Sequence, residues 1–255
     1  MLIVNADDWG RDAQTTDRIH QCVKHGTISS VSAMVFMKDS HRGAAIARER
    51  GIEAGLHLNF TAEFTASQCS STLLGHQRRA TRFLLGHRGA QVVFHPGLMV
   101  SFEYLVRTQC DEFAVLYGRH PERLDGHHHM HLCANVLFQG LLPRGRMVRR
   151  NFSFQPGEKP VWNRFYRRLI DSRLARHHRV TDYFFSLAPL EPRERLDDIF
   201  SLARHSVVEI ETHPAALDEY TFLNSGEIFL HLDGVTIAHA PTMFSAHFGE
   251  RAIPS

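Results

Sequence analysis

Residues 1–10 read Met1-Leu2-Ile3-Val4-Asn5-Ala6-Asp7-Asp8-Trp9-Gly10 and join an apolar run to a pair of acids. The run Leu2 to Val4 is short and contains β-branched side chains, which is typical of a buried strand. Side chains on a strand alternate between its two faces, so Asp7 and Asp8 can point in different directions. One acid can then bind a metal while the other transfers a proton.

Downstream of this strand, the 255-residue chain alternates between predicted helices and strands. We predict strands at 30–36, 53–59, 123–126, 147–150, 181–185, 207–212 and 235–238, and helices at 15–25, 40–50, 101–117, 132–141, 161–178, 192–204 and 224–232. Such alternation favours a parallel sheet with helices outside it. We therefore predict an α/β fold, a deformed (β/α) barrel of about seven to eight units that resembles a TIM barrel. A doubly wound open sheet is the alternative.

The sequence contains no linker or repeat that would divide it, so we predict a single catalytic domain over residues 1–255. Residues 61–98 are rich in Ser, Gly, His and Arg, and we predict an irregular insertion there. The predicted helix at 161–178 is basic. Either this helix or the 61–98 segment could form a homodimer, but an amphipathic helix packs equally well against its own barrel.

Composition restricts the cellular setting and the partners. The net charge of +2 indicates no strong field for nucleic acid or for a membrane. The four cysteines are widely spaced and form no Cys-x-x-Cys pair, which argues against a zinc ribbon or a disulfide scaffold and suits a reducing cytosol. No apolar segment reaches transmembrane length, and acids interrupt the N-terminus early, so we predict a cytoplasmic protein.

Four polar signatures fall at predicted strand ends. They are Asp7-Asp8, Gly55-Leu56-His57-Leu58-Asn59, Asp125-Gly126-His127-His128-His129-Met130-His131 and Glu209-Ile210-Glu211-Thr212-His213-Pro214. In a parallel barrel the strand ends converge on one mouth, so distant residues can share one metal ion. Two imidazoles and one carboxylate with open positions are typical of a catalytic metal site rather than a structural one.

Each signature also has an ordinary structural interpretation. The acid pair is often a solvated turn or a helix cap, and His57 between two leucines is often a hydrogen-bonded core residue. The histidine cluster is the strongest signal, because four histidines in five residues are hard to bury without partners. If that segment is extended, His127, His129 and His131 lie on one side. We interpret His177-His178 as surface residues, and Arg149-Arg150 as an exposed basic pair rather than a contact for an acidic sugar.

Together these segments resemble the YdjC-like family of carbohydrate deacetylases, which act on N-acetylated oligosaccharides. The family pattern consists of Asn-Ala-Asp-Asp-Phe-Gly, Gly-x-His-Leu, Asp-Ser-His-x-His-x-His and Glu-x-x-x-His-Pro. All four motifs occur here in that order between residues 5 and 214. The resemblance therefore covers most of the chain.

The resemblance implies a deformed (β/α) barrel and a role for each matching residue. Asp8, His57 and His127 would be the metal ligands. Asp7 would be the general base. His213 would face the metal as the general acid or as a group that stabilises the transition state.

Two residues depart from the family pattern. Trp9 replaces Phe, which we expect to place a larger ring near the mouth of the barrel. Gly126 replaces Ser and removes a hydroxyl beside His127. Both changes leave the implied ligands intact and bear on the substrate more than on the reaction.

The predicted reaction is hydrolysis of the N-acetyl group of an amino sugar or an N-acetylated oligosaccharide, a cleavage of a linear amide C–N bond. One divalent metal ion, zinc or magnesium, would acidify a bound water, Asp7 would accept its proton, and His213 would protonate the leaving amine. We expect Asp125 and Glu209 to orient ligand imidazoles. His129 and His131 are candidates for contact with the substrate or a neighbouring chain.

Two alternative functions remain open at this point. A metal-dependent phosphoesterase on a barrel would use two or three metals, for which His129, His131 and Glu211 could supply further ligands. A non-catalytic carbohydrate-binding homologue would retain the fold without turnover.

Overall fold

A computed structural model gives the structure of the protein, and it describes residues 1–87, 89–154 and 160–238. The described strands form a seven-stranded sheet in the order β5-β4-β3-β2-β1-β7-β6. The strands are β1 (Leu2–Trp9), β2 (Ser30–Ala33), β3 (Ala54–Leu58), β4 (Arg123–Gly126), β5 (Met147–Val148), β6 (Tyr183–Ser186) and β7 (Val208–Thr212). The α-helices are α1 (Ala13–Lys24), α2 (Ser40–Arg50), α3 (Ser71–Gly86), α4 (Met99–Tyr117), α5 (Ala134–Gln139), α6 (Val161–Ala175), α7 (Glu194–Leu202) and α8 (Leu217–Asn224).

Strand β1 is the longest of the described strands, and all eight of its residues are buried. It pairs in parallel with β7, so that Leu2 lies opposite Val208 and Asn5 opposite Glu211. Burial on both faces is what a parallel strand covered by helices requires. The strands are parallel and alternate with helices, and the predicted α/β fold class is confirmed.

Contacts between residues divide the chain into two compact units. Unit A contains Met1–Asp7, Asp17–Val31 and the described chain from Met147 onwards. Unit B contains Asp8–Thr16 and Ser32–Arg146. The division within β1 falls between the two aspartates. That residues 1–255 form one catalytic domain stays a prediction.

Unit A is built around β1, β6 and β7, which pair in parallel. Ile3, Met147 and Val207 form part of its apolar core. An isolated parallel bridge joins Met147 to Arg179, and the Ser153 backbone N–H donates to the Phe184 carbonyl oxygen. The segment after β5 therefore runs beside β6 and carries residues 149 to 153 along it.

In unit B, β3 and β4 pair in parallel, and α3 and α4 pack together. The pairing places His57 directly opposite Asp125. Phe60 and Phe102 are fully buried, with ring centroids 5.4 Å apart. The β3–β4 register therefore brings His57 and Asp125, two residues of the candidate site, next to each other.

The prediction that 61–98 is an irregular insertion is wrong, because α3 occupies Ser71–Gly86. The Ser70 hydroxyl accepts the Leu73 backbone N–H at the helix start, as an N-cap serine does. Leu73, Gln77, Ala80 and Leu84 form a buried face at helical spacing. The segment is polar in composition, so this buried face was not recognised from the sequence. Two short 3₁₀ helices, Ala90–Val92 and Pro96–Leu98, follow it.

Two predicted elements near the chain end also differ from the structure. The helix predicted at 224–232 is replaced by α8, Leu217–Asn224, and a 3₁₀ helix, Glu227–His231. The strand predicted at 235–238 is reduced to one isolated bridge between Leu2 and Ile237. Gly226 in the left-handed region separates α8 from the 3₁₀ helix, which explains the shifted boundary.

Among the described residues, no helix combines the length and the apolar character needed to cross a membrane.

Candidate metal centre and acid–base cluster

The first cluster lies in unit B and centres on Asp8, at the end of β1. Asp8 Oδ1 lies 3.1 Å from His127 Nδ1 and 3.6 Å from His57 Nε2. Asp8 and His57 are buried, and His127 is partly exposed. These three residues, which the family resemblance implies as metal ligands, are therefore brought together, and their ligand atoms can be shared by one ion.

His57 is oriented by the acid opposite it in the sheet. Its Nδ1 lies 2.7 Å from Asp125 Oδ1, so Nε2 is the nitrogen that faces Asp8. The Ser32 hydroxyl donates to the other oxygen of Asp125. A carboxylate bound to the far nitrogen of a ligand histidine fixes its tautomer and raises its basicity. This contact corresponds to the orienting role expected of Asp125.

The histidine cluster is not extended, so the expected alternation of His127, His129 and His131 is wrong. The segment His127–Leu132 is a 3₁₀ turn in which His128 and His129 adopt left-handed φ values of 54° and 57°. Non-glycine residues rarely adopt such angles, and they concentrate at functional sites. The turn leaves His127 beside Asp8, and the ring of His128 stacks on it with centroids 4.1 Å apart.

His131 is fully buried, which rules out the expected contact with a substrate or a neighbouring chain. It packs against Gly126, where an added Cβ would lie 3.0 Å from both the Cβ and the backbone nitrogen of His131. The glycine that departs from the family pattern is therefore explained by this close approach. His129 is partly exposed, with its ring 6.5 Å from that of His131.

Arg11 is a contact of the candidate ligand Asp8 that sequence reasoning missed. Its Nη1 donates to Asp8 Oδ2 over 2.7 Å, and its Nε donates to Asp12 Oδ2 over 3.1 Å. Asp8 is thus approached by imidazoles at one oxygen and by a guanidinium at the other. The burial of Arg11 works to lower its pKa, but Asp8 and Asp12 outweigh burial and raise it.

The second cluster lies in unit A and centres on Asp7. Arg149 donates two hydrogen bonds to this carboxylate, from Nη1 to Oδ2 over 2.7 Å and from Nη2 to Oδ1 over 2.8 Å. The Asn5 side-chain amide also donates to Oδ1 over 2.7 Å. Paired arginine–carboxylate bonds are strong and geometrically specific. The arrangement fixes Asp7 in one orientation.

Arg149 is buried, so the prediction that it belongs to an exposed basic pair is wrong. Its Nε donates to Glu209 over 2.8 Å and its Nη1 to Glu211 over 3.1 Å. The guanidinium also lies 4.9 Å from the centre of the Phe184 ring. Three carboxylates thus surround one buried cation. For Glu209, the contact seen is with Arg149, whereas sequence analysis expected it to orient a ligand imidazole.

Arg150 faces a different environment from Arg149. It binds Asp171 and is partly exposed. The two arginines therefore occupy opposite sides of the segment after β5, as alternation along an extended chain requires.

His213 lies beside the Asp7 carboxylate and retains access to solvent. Its Nε2 is 4.0 Å from Asp7 Oδ2, and its side chain is 39% exposed. Its backbone N–H donates to Glu219 over 2.7 Å. Burial raises the pKa of Glu219, while the hydrogen bond from His213 and the His213 charge work against that rise. Glu219 is a further residue that sequence reasoning missed.

Trp9 is fully buried, so the expectation that its ring lies near the mouth of a barrel is wrong. Its indole nitrogen would lie 3.0 Å from a Cβ added at Gly43, on α2. The larger ring fits because α2 has a glycine where it passes β1. Trp9 is a core residue and does not line a substrate site.

A profile of the family described as YdjC-like protein matches residues 1–243. The chain belongs to the YdjC-like family. A chitooligosaccharide deacetylase from Serratia marcescens is 28% identical over 96% of this YdjC-like chain and 93% of its own length. A carbohydrate deacetylase from Danio rerio is 32% identical over 53% of the chain. The chain spans only 43% of the length of that relative and 44% of its Mus musculus counterpart.

A crystal structure from Enterococcus faecalis V583 shares the fold with this YdjC-like protein. It is the structure of a protein named as a proposed cellobiose-phosphate cleavage protein. The TM-score is 0.64 with 18% sequence identity, and the match covers 95% of this chain and 98% of the other. Identity at this level supports the fold alone.

Proposed function

We propose that this YdjC-like protein is a metal-dependent carbohydrate deacetylase that hydrolyses the N-acetyl group of an amino sugar or an N-acetylated oligosaccharide. One observation carries the proposal. Two acids joined by a single peptide bond have different partners. Asp8 has two imidazoles at Oδ1 and Arg11 at Oδ2 only, whereas Asp7 has Arg149 bound to both oxygens and a solvent-accessible histidine beside it. The names of the relatives supply the substrate class.

The residues around Asp8 fit a divalent metal. Ligand atoms bound about 2.0–2.2 Å from one ion, at octahedral to tetrahedral angles, lie roughly 2.8–3.6 Å apart. The separations of Asp8 Oδ1 from His127 Nδ1 and His57 Nε2, 3.1 and 3.6 Å, agree with that spacing. Two imidazoles favour zinc, while a site with one carboxylate and room for water also accepts magnesium. Asp8, His57 and His127 would hold the ion.

Bound at this set, a divalent metal supplies a Lewis acid that polarises a carbonyl oxygen and lowers the pKa of water. Asp7 would accept the proton of the attacking water as general base. Arg149 and Asn5 hold both carboxylate oxygens, so Asp7 needs no reorganisation before it accepts that proton.

His213 would return a proton to the nitrogen of the leaving amine. An imidazole can both accept and donate a proton, which is what a general acid that is recharged from solvent must do. Its exposure allows exchange with solvent, and its 4.0 Å separation from Asp7 places the two proton-transfer groups side by side. Glu219 anchors the backbone of His213 and so fixes the base of its side chain.

The surroundings of Arg149 argue against the phosphoesterase alternative. A second metal would need ligands such as Asp7, Glu211 and His213, which do lie close enough together. However, the Arg149 guanidinium already binds both Asp7 and Glu211. A fixed cation on two of the three ligands repels a second metal ion.

The experiment measures acetate release from N-acetylglucosamine oligomers by the full chain. The protein is first stripped with a chelator and then supplied with zinc, magnesium or no metal, and a phosphate monoester serves as the control substrate. We expect acetate release only with metal and no phosphate release. Metal-independent acetate release, or phosphate release without acetate, would contradict the proposal. Binding of the acetylated oligomers without turnover under all conditions would instead indicate a carbohydrate-binding homologue.

A further inference from the structure

Helix α6 presents its apolar side to solvent. Five large apolar side chains are exposed on it: Val161 by 77%, Trp162 by 83%, Phe165 by 62%, Tyr166 by 40% and Leu169 by 59%. Their spacing places them in one stripe along the helix. We call these five residues the α6 stripe. Contiguous exposed apolar side chains of this kind mark an interaction site.

The opposite face of α6 is attached to unit A. Asp171 and Leu174 are its buried residues. Asp171 accepts bonds from the Arg150 guanidinium and from the backbone and side chain of Asn151. The helix is thus anchored through a polar contact while its aromatic stripe faces water, the reverse of an ordinary surface helix.

The charge on α6 is strongly positive. Between residues 161 and 176 the sequence has five arginines and a single acid, Asp171. Arg150 already neutralises that acid. Among the residues that the structure describes, neither Arg164 nor Arg168 forms an ion pair. The overall charge of +2 conceals this local excess, and our sequence-based expectation of no membrane contact rested on that overall value.

A basic cavity lies along the inner edge of the helix. It has a volume of about 160 Å³. Four arginines outnumber two acids in its lining, which contains Arg150, Arg164, Arg167, Arg168, Asp171, Asp182, Phe152, Ser153, Phe154 and Tyr183. Asp171 is already paired with Arg150. Arginine guanidinium groups bind phosphate through paired N–H donors. The cavity therefore provides a place for a phosphate group next to the α6 stripe.

We propose that α6 docks on an anionic lipid surface, with the α6 stripe inserted at the headgroup boundary and the arginines bound to lipid phosphates. Helices with aromatic and leucine side chains on one face and arginines on the other lie in the plane of such interfaces. Tryptophan and tyrosine are favoured at that depth because their rings combine an apolar body with a polar edge.

The positive charge of α6 favours an anionic lipid surface over a second copy of the chain as the partner of the α6 stripe. In a two-fold symmetric dimer, the α6 stripe of one copy would meet that of its partner. The five arginines between residues 161 and 176 of each copy would then be brought towards those of the other copy, and like charges across an interface are unfavourable. An anionic bilayer covers the aromatic side chains and neutralises the arginines at the same time.

Trp162 provides a direct test. The protein has two tryptophans, and the other, Trp9, is fully buried. A shift in emission when vesicles are added therefore reports Trp162. With the full chain, we expect a shift to shorter wavelength, and co-sedimentation, with vesicles of phosphatidylcholine and phosphatidylglycerol in equal amounts. Both effects should be much weaker with phosphatidylcholine alone and should decrease as salt increases.

Two variants and one matched control accompany this measurement. Trp162→Ser/Phe165→Ser should weaken co-sedimentation about tenfold or more, because two inserted rings are lost. Arg164→Gln/Arg168→Gln should weaken it only for the vesicles that contain phosphatidylglycerol. Leu230→Ser, which alters a residue of unit A that is 82% exposed outside α6, should leave it unchanged. These are surface substitutions, so the fold should persist in all three variants.

Absence of vesicle binding by the natural chain would overturn the proposal, as would equal binding by Trp162→Ser/Phe165→Ser. Analytical ultracentrifugation identifies the competing occupant. A dimer that dissociates in Trp162→Ser/Phe165→Ser and binds no vesicles would assign the α6 stripe to a second copy of the chain. All of these readouts are independent of deacetylase turnover.

Discussion

The environments of Asp7 and Asp8 differ more than their adjacency suggests. Asp7 is bound by Arg149, a cation that belongs to the chain and is buried among three carboxylates. Asp8 faces two histidines, one of them oriented by Asp125. The comparison teaches that a carboxylate's role depends on its partners. Arg149 is a built-in cation that binds both oxygens of Asp7, so this acid is fixed as an acceptor. Arg11 binds only Oδ2 of Asp8, and Oδ1 faces the two histidines in a donor set that suits an added cation.

The largest expected effect comes from removing that built-in cation. Arg149→Met leaves Asp7, Glu209 and Glu211 buried without their arginine. Breaking a buried ion pair from one side typically costs about 3–5 kcal/mol. We expect a loss of at least that order in the free energy of unfolding, measured by urea denaturation.

Arg150→Met is the matched control, because Arg150 is the next residue, is partly exposed and binds a single carboxylate, that of Asp171. The decrease in the free energy of unfolding should be clearly smaller for Arg150→Met than for Arg149→Met. Equal losses in the two variants would show that the cluster around Asp7 is not held by Arg149.

The next largest effect is expected on the metal affinity of the cluster around Asp8. Asp125→Asn removes the carboxylate bound to His57 Nδ1. Loss of such an orienting partner lowers metal affinity by roughly 10–100-fold. Competition with a chromogenic chelator would measure this affinity. Asp39→Asn, which alters a carboxylate bound to Arg42 elsewhere in unit B, should not change it.

The turn that carries His127 gives a third test. In Gly126→Ser the new Cβ would meet His131 at 3.0 Å, which is tighter than ordinary packing, so the His131 turn would have to shift. Overpacking of this kind costs about 1–3 kcal/mol. We expect a decrease of that size in the free energy of unfolding, measured in urea, although the family pattern has serine at this position. An unchanged stability would show that the turn adapts easily.

The sequence was sufficient to predict much of the sheet. Strand β4 and helix α2 have the predicted bounds, because each is delimited by strong local signals. Gly51, for example, ends α2 in the left-handed conformation. Helix α3 was missed because its buried face includes Gln77 and Ala80, which do not stand out as apolar in a polar segment.

The candidate site was predicted less completely than the sheet. The residues of the four motifs were identifiable because histidines and acids fall at strand ends. Arg149 carried no such signal, since a basic pair in a sequence looks the same whether it is solvated or buried. Its partners are 60 and 142 positions away along the chain, so only the fold reveals them. Arg11 and Glu219 have partners only three and six positions away, Asp8 and His213, but neither belongs to a motif that would single it out.

The smallest expected effect is a pH dependence near His213. Burial raises the pKa of Glu219, so its protonated form is favoured in the folded state. Its contribution to stability is fully present below the pKa in the unfolded chain and is lost as pH rises through the folded pKa. Glu219→Gln cannot ionise and retains an oxygen for the His213 N–H.

We therefore expect Glu219→Gln to gain stability relative to the natural chain as pH rises from acid to neutral. Melting temperatures of both proteins across that range would show the difference. A constant difference at all pH values would contradict the assignment of Glu219 as a buried acid with a raised pKa.

The most direct measurement compares Asp7→Asn with Asp8→Ala in bound metal and in acetate release from N-acetylglucosamine oligomers. We predict that Asp7→Asn keeps stoichiometric metal, measured by mass spectrometry, and loses its rate by about 10²-fold or more, as removal of a general base does. Asp8→Ala should lose the metal itself. Stoichiometric metal in Asp8→Ala, or undiminished turnover in Asp7→Asn, would contradict the division of roles between the two acids.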